Sequence, residues 1–150
     1  MKKSQDVPAV LNLYVENDDK LDAMHLSNIF GALANSVKGS RDVARLETDE
    51  RFKSLLETVI GKLNTMPEWF GVRQLANMCH SFGKMKLSDR RFFDLITGMR
   101  DTIAKNGEPQ HLANIAWAFA TAGYKSDTLF TALAGEHARL VVSGDVQHMR

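Results

Sequence analysis

The chain has 150 residues, 44% of them apolar, and a formal net charge of +1. This length and apolar content suit one domain with a continuous buried core, and we expect residues 1–150 to form a single folded unit. The near-neutral charge excludes an overall electrostatic attraction to nucleic acid, and the single cysteine, Cys79, excludes an internal disulfide.

The N-terminal segment reads MKKSQDVPAVLNLYVENDDK. It lacks the sustained apolar stretch of a secretory signal, and its Asp and Glu content is unlike that of a transit peptide, so no targeting segment is visible in this chain. Since no later stretch has the length to cross a bilayer, we expect no membrane insertion and a soluble intracellular protein. A short helix is predicted from about Pro8 to Val15, where it would cap one end of the fold.

Three segments of the chain superpose without gaps on the frame L-[AS]-N-[IM]-x-x-[AS]-[LF]. Their leucines, which are 49 and 37 residues apart, and their asparagines are Leu26, Leu75 and Leu112, and Asn28, Asn77 and Asn114. Apolar side chains at i, i+3 and i+7 of each frame predict helices with one buried face, which we call the B helices. We expect the asparagines to be structural and to bond a backbone turn or the adjacent repeat.

A second family of segments alternates with the first, and its members are DERFKSLLETVIGKL, DRRFFDLITGMRDTI and DTLFTALAGEHARLV. Each follows a Thr or Ser and begins with Asp49, Asp89 or Asp127, and these side-chain oxygens are typical of helix N-caps. We call these the A helices. Pro67 and Pro109 precede the second and third B helices, and Gly83 and Gly123 lie near their ends. The segment KGSRDVARLETD is predicted to be a polar loop.

This order of elements predicts an all-α protein, specifically an α-solenoid (superhelix) of about three degenerate helical-hairpin repeats. The repeat frames cover about 8–38, 49–86 and 89–123, and a final helix covers 127–142. A compact bundle of six or seven helices with chance similarity among them is the alternative. The recurring Asn in register with Leu and an apolar residue favours the repeat, because amphipathicity alone does not require it.

Cationic side chains cluster in one part of the chain. Between Gly71 and Lys105 there are seven Lys or Arg residues and three Asp residues, which gives a local net charge of +4. If equivalent turns share one rim of a solenoid, these cations are candidates for phosphate contact; the alternative is an ordinary solvated turn. The candidate RNA-binding residues are Arg73, Lys84, Lys86, Arg90, Arg91 and Lys125.

Aromatic candidates for stacking on bases are few: Trp69, Trp117 and Tyr124. Trp117 is predicted to pack between repeats. Motifs for metal binding, phosphate loops, dinucleotide binding or a nucleophilic serine are missing from the sequence, and no two histidines are three or four residues apart. We therefore expect neither an enzyme nor a metal or cofactor site.

The third B helix, PQHLANIAWAFATAGY, resembles the octotricopeptide repeat of organellar RNA-binding proteins, and PEWFGVRQLANMCHSFGKM is similar to the same motif. Related repeats occur in apicomplexan heptatricopeptide and FAST kinase-like proteins. The resemblance covers roughly residues 49–142. His80 and Gly31 stand where Trp117 stands in the third frame. The resemblance implies an α-solenoid of a mitochondrion or plastid that binds single-stranded RNA for maturation, stability or translation.

A protein-interaction module is the competing hypothesis. The near-neutral net charge and the short array are typical of a helical-repeat scaffold, for example a subunit of an organellar ribosome or another ribonucleoprotein assembly. In both hypotheses the repeats offer one long face to an extended partner.

Overall fold

The computed structural model describes residues 6–142, with side chains through residue 135. Regular structure in this part of the chain is entirely helical, which confirms the predicted all-α class. The helices are α1 (Val7–Asn17), α2 (Ala23–Ser36), α3 (Ser40–Thr48), α4 (Glu50–Thr65), α5 (Val72–Met85), α6 (Arg90–Gly98), α7 (Arg100–Asn106), α8 (Pro109–Ala122) and α9 (Asp127–Val142), with a short 3-10 turn at Pro67–Trp69 between α4 and α5.

The helices that carry the repeated frame lie beside one another, since α5 packs against α2 on one side and against α8 on the other. We call α2, α5 and α8 the B layer. Most of the other helices also contact one another in chain order: α1 contacts α4, α4 contacts α6, and α7 contacts α9. We call these the A layer. In the described part of the chain, α5 thus contacts both other helices of the B layer, and α4 contacts both α1 and α6 of the A layer.

A continuous aromatic core joins the two layers. Phe82 of α5 stacks on Phe92 of α6 with ring centroids 4.0 Å apart, and it also contacts Phe30 of α2 at 5.1 Å. Phe93 continues the chain of rings to Phe119 of α8 at 4.8 Å. All five rings are fully buried. Burial of each such side chain stabilises the fold by about 1.5–3 kcal/mol, so this aromatic core fixes how successive helix pairs pack.

The predicted helix caps are confirmed. The Asp49 carboxylate accepts a hydrogen bond from the Arg51 backbone N–H at 2.8 Å, and Asp89 accepts from Phe92 N–H at 3.2 Å. The Ser126 hydroxyl accepts from Leu129 N–H at 3.3 Å. These bonds satisfy N–H groups that have no partner within the helix. Local sequence therefore determines where the A helices begin.

The two B helices that carry glycine near their ends terminate differently. After α8 the chain turns at Gly123, which has a left-handed backbone with φ 72°, the conformation for which glycine is favoured. Helix α5 instead runs two residues past Gly83 to Met85, and its C-cap is Lys86, whose φ of 58° is unusual for a residue with a side chain. Gly83 has a packing role, described below.

The prediction of a polar loop over KGSRDVARLETD is wrong, because residues 40–48 form α3. The Asp42 carboxylate accepts from the Lys38 backbone N–H at 2.8 Å and closes the first turn. Val43 and Leu46, three residues apart, provide a narrow apolar stripe, and Leu46 is only 2% exposed. A stripe of two residues is too short to stand out in a polar sequence.

The second A helix was predicted as one element, DRRFFDLITGMRDTI, but it breaks at Met99 into α6 and α7. Met99 leaves the helical conformation, and its N–H bonds back to the carbonyl groups of Ile96 and Thr97. The break lets α6 pack on α4 while α7 packs on α9. Tertiary packing on two different neighbours therefore overrides the helical periodicity, which continues through the break.

Candidate nucleic-acid interface

The asparagines of the repeated frame lie on the outer surface of the B layer. Asn28 and Asn77 are exposed and Asn114 is half-buried. The expectation that they bond a backbone turn or the adjacent repeat is wrong: within residues 6–135, neither the Asn28 nor the Asn77 side chain forms a hydrogen bond, and Asn114 Oδ1 accepts only a long 3.5 Å bond from Gln110 of its own helix. Each follows a buried leucine by two positions, which is about 200° around a helix and so directs it outward.

An aromatic pair with tilted rings lies on the same surface. The imidazole of His80 on α5 lies 5.1 Å from the Trp117 ring on α8, with the planes 36° apart. Trp117 also covers Gly83, where an added Cβ would lie 2.6 Å from the indole ring. The prediction that Trp117 packs between neighbouring repeats is therefore confirmed, but its side chain stays 44% exposed. The pair presents aromatic surface to solvent between two B helices.

A groove of about 490 Å³ runs between α2 and α5 beside this pair. Its walls include Asn28, Gly31, Asn35, Asn77, His80 and Lys84. The Lys84 ammonium donates to Asn35 Oδ1 at 2.6 Å across the groove. We define the B face as these six residues together with Trp117. It combines amide groups, aromatic rings and one cation on adjacent helices.

The cationic turn after α5 meets the turn after α8. Arg90 places its guanidinium carbon 5.7 Å from the Tyr124 ring centroid, and Lys125 follows Tyr124 in the chain. Lys86 and Lys125 are exposed, and neither has a charged partner among the described side chains. These residues, with Lys84 at the end of the groove, form a basic edge along the C-terminal ends of α5 and α8, which we call the cationic edge.

Two of the predicted RNA-binding residues, Arg73 and Arg91, do not contribute free positive charge to the cationic edge. Arg91 pairs with Glu57 at 2.7 Å and with Asp89 at 3.2 Å, and the hydrogen bonds that its guanidinium donates to Asp89 and Glu57 raise the pKa of Arg91. Arg73 lies near the start of α5, eleven residues before Lys84, which is about 16 Å along the helix. Arg73 is exposed at the opposite end of the B layer.

Sequence reasoning missed Asn35 as a member of the B face. The signal was a spacing of seven residues, since Asn35 follows Asn28 as Lys84 follows Asn77, and two turns of a helix return to the same side. The groove itself lies beside Gly31, which has no side chain to fill it. The sequence shows the glycine, but it does not show whether the neighbouring helix fills the space.

Within the described residues, no three His, Cys, Asp or Glu side chains converge as metal ligands would. Cys79 is fully buried in the B layer, and burial raises the pKa of its thiol. No helix in the described range is long and apolar enough to span a bilayer. The B face and the cationic edge are therefore the surfaces on which a functional argument rests.

Comparison with known proteins returns no match: no family model, curated protein or solved structure is significantly similar to this chain.

Proposed function

We propose that this chain is an α-solenoid of three helical-hairpin repeats that binds single-stranded RNA along the B face. The observation that carries the proposal is the B face itself, where exposed amides recur at equivalent positions of adjacent helices beside a solvent-exposed His80–Trp117 pair. Proteins that read unpaired RNA stack its bases on aromatic side chains and hydrogen-bond their edges. Amide side chains supply both donors and acceptors for such edges.

Packing of B helices on B helices and of A helices on A helices supports the solenoid part of the proposal. Helix α5 contacts both other B helices, and the A helices contact one another in the same order along the chain. A solenoid has this property, because each repeat packs on the next. Its equivalent positions form a line, as an extended strand of RNA requires.

Electrostatics support a strand that passes the cationic edge. Lys86 and Lys125 are exposed there, and Lys84 extends the charge into the groove. The whole chain carries a net charge of only +1, so in this proposal these three lysines, which pair with no carboxylate among the described side chains, supply the attraction for phosphates. The resemblance to octotricopeptide repeats supports the same ligand and extends the proposal to RNA maturation, stability or translation in a mitochondrion or plastid, with a binding role and no catalytic one.

The proposal is tested by measuring the affinity of labelled single-stranded RNA as a function of salt. The double variant Lys86→Glu with Lys125→Glu is compared with Lys20→Glu with Lys105→Glu, which makes the same change in net charge at exposed positions away from the cationic edge. We expect the first pair to weaken binding by tenfold or more and to reduce the slope of log affinity against log salt by about 0.7 for each lost phosphate contact.

The control pair should bind within about threefold of the wild type, because charges away from the strand are screened at ordinary salt. Binding that is absent, or that does not depend on salt, would contradict the proposal. Equal losses in the two double variants would contradict the assignment of the strand to the cationic edge.

A protein-interaction module is the second candidate function, and one observation favours it. Three large apolar side chains of the first helix pair are open to solvent: Leu13 (45%), Val15 (48%) and Met24 (51%). Large apolar side chains that stay exposed in the first two helices favour a protein contact there. A protein that co-purifies with this chain and stays bound after nuclease treatment would favour this candidate, and loss of binding on Met24→Lys would place the contact on these two helices.

A further inference from the structure

One position of the B face lacks the side chain that its equivalents carry. Gly31, His80 and Trp117 occupy the same place in the three repeated frames. The rings of His80 and Trp117 contact each other at a tilt of 36°, but at Gly31 there is no ring, and a Cβ added there would meet only Ser81 Oγ, at 4.0 Å. The space beside Gly31 is the groove between α2 and α5. The row of aromatic rings thus includes Trp117 and His80 and ends at Gly31, where the missing ring leaves a vacancy.

One buried polar group beside this vacancy, the Ser27 hydroxyl, has no partner among the described residues. Ser27 lines the groove, is only 2% exposed, and its hydroxyl has no hydrogen-bond partner within the described residues. The equivalent positions of the other two frames are alanines, Ala76 and Ala113. A buried hydroxyl without a partner is unfavourable, so its presence in this one frame points to a ligand that completes it.

We propose that the groove between α2 and α5 is a nucleobase pocket that takes one unpaired base of an RNA strand. The base stacks on His80 in the space left by Gly31. Ser27, Asn28 and Asn77 offer its edge one hydroxyl and two amides, and none of these three side chains bonds another described residue. The inference rests on the proposed RNA-binding function and adds to it a defined subsite.

The chemistry of the pocket selects a base within a single strand. Lys84 lies in the groove wall, where its ammonium is placed for the phosphate attached to the bound base. The volume of about 490 Å³ lies within the range of small-ligand pockets, roughly 300–1,000 Å³. A paired base in a duplex is already stacked on both faces, so only an unpaired base offers a free face and a free edge.

The test is to fill the pocket with the ring it lacks. Gly31→Trp restores at this position the residue that stands at 117, and Gly61→Trp is the matched control because Gly61 is exposed on α4 with no neighbouring atom within 4 Å of an added Cβ. The probes are a 12-nucleotide oligoadenylate, a 12-nucleotide oligouridylate and an abasic sugar–phosphate chain of the same length. Circular dichroism checks that each variant is folded.

We expect Gly31→Trp to weaken binding of the better oligonucleotide by about five- to one-hundred-fold, the range for loss of one base stack, and to leave abasic binding and the salt slope unchanged. Gly61→Trp should bind as the wild type does. His80→Ala, which removes the stacking ring without filling the groove, should produce a loss of at least about fivefold on the same oligonucleotide.

The outcomes separate the pocket from the proposed function. If the wild type binds abasic and base-bearing chains equally with a normal salt slope, the pocket is wrong and RNA binding through phosphates stands. If folded Gly31→Trp and His80→Ala both keep wild-type affinity, the pocket is also wrong. Absence of binding to any of the three probes overturns both the pocket and the proposed function.

Discussion

At the scale of single residues, Asp49 links helix capping to packing between helices. Its carboxylate caps α4 through the Arg51 backbone N–H and also accepts from the Arg51 guanidinium at 3.0 and 2.7 Å. Arg51 then reaches Asn12 of α1 at 2.9 Å. The side-chain hydrogen bond from Arg51 is the main cause that lowers the pKa of Asp49 to about 2.

This lowered pKa predicts a defined pH dependence of stability. A carboxyl group whose pKa is lower in the folded than in the unfolded chain stabilises the fold above the unfolded value, near 3.8, and that contribution is lost as pH falls toward about 2. Asp49→Asn keeps a capping oxygen but loses the charge, so at pH 7 we expect it to lower the free energy of unfolding by about 1 kcal/mol after solvent screening. Urea denaturation from pH 2 to 7 measures this.

The difference between Asp49→Asn and the wild type should shrink as pH falls below about 4 and become small near pH 2. A difference that stays constant across this range would show that the charge of Asp49 does not act as described. Asp18→Asn is the matched control, because Asp18 is an exposed carboxylate for which no ion pair is observed, and it should match the wild type at every pH.

Residue roles were predictable from the sequence where they are local. The caps at Asp49, Asp89 and Ser126 follow from a side-chain oxygen beside a helical periodicity, and the structure has all three. The role of Asn28 and Asn77 was not predictable in the same way. Whether a polar side chain on a helix meets a neighbour or solvent depends on which face the next helix covers, which the frame alone does not determine.

At the scale of elements, the close approach of α5 and α8 depends on Gly83. An added Cβ there would lie 2.6 Å from the Trp117 ring and 3.2 Å from the Ala118 backbone. The second atom belongs to a helix backbone and has little room to shift. A small residue in α5 therefore permits the contact that also orients Trp117 next to His80.

Two glycine-to-alanine variants should consequently change the free energy of unfolding in opposite directions. We expect Gly83→Ala to lower the free energy of unfolding by about 1–3 kcal/mol because it overpacks the helix contact. Gly61→Ala, in the open middle of α4, should raise it by about 0.5–1 kcal/mol because alanine favours the helix. Thermal or urea denaturation of both variants measures the two effects, and stabilisation by Gly83→Ala would contradict the described packing of α5 on α8.

The long amphipathic helices were predictable because each repeats its apolar positions over several turns. Helix α3 was missed because its apolar stripe has only Val43 and Leu46, and the break at Met99 was missed because the periodicity continues across it. Both differences arise from packing on particular neighbours. They alter the segments between the B helices, and the three B helices themselves form where the sequence predicted helices.

At the scale of the whole molecule, the aromatic core makes the helix pairs depend on one another. Phe82 contacts rings from α2 and α6 at once. We expect Phe82→Ala to lower the free energy of unfolding by about 3–5 kcal/mol, a large part of the about 5–15 kcal/mol of a typical domain. Phe130→Ala, at a ring that is 36% exposed, is the control and should cost much less.

Denaturation followed by tryptophan fluorescence and by circular dichroism measures the Phe82 effect. If Phe82→Ala lowers the free energy of unfolding no more than Phe130→Ala does, the aromatic core does not couple the helix pairs.

For the whole molecule, the sequence predicted which segments carry cations, but the neighbours of those cations depend on tertiary contacts. Glu57 of α4 thus takes up Arg91, while Lys86 and Lys125 stay exposed.

Binding of single-stranded RNA by the B face can be tested by ultraviolet crosslinking of bound RNA with mass-spectrometric mapping of the attached peptides. We expect crosslinks in peptides of α2, α5 and α8, with His80 and Trp117 among the modified residues. Crosslinks confined to the A-layer helices α4, α6 and α7 would contradict binding at the B face.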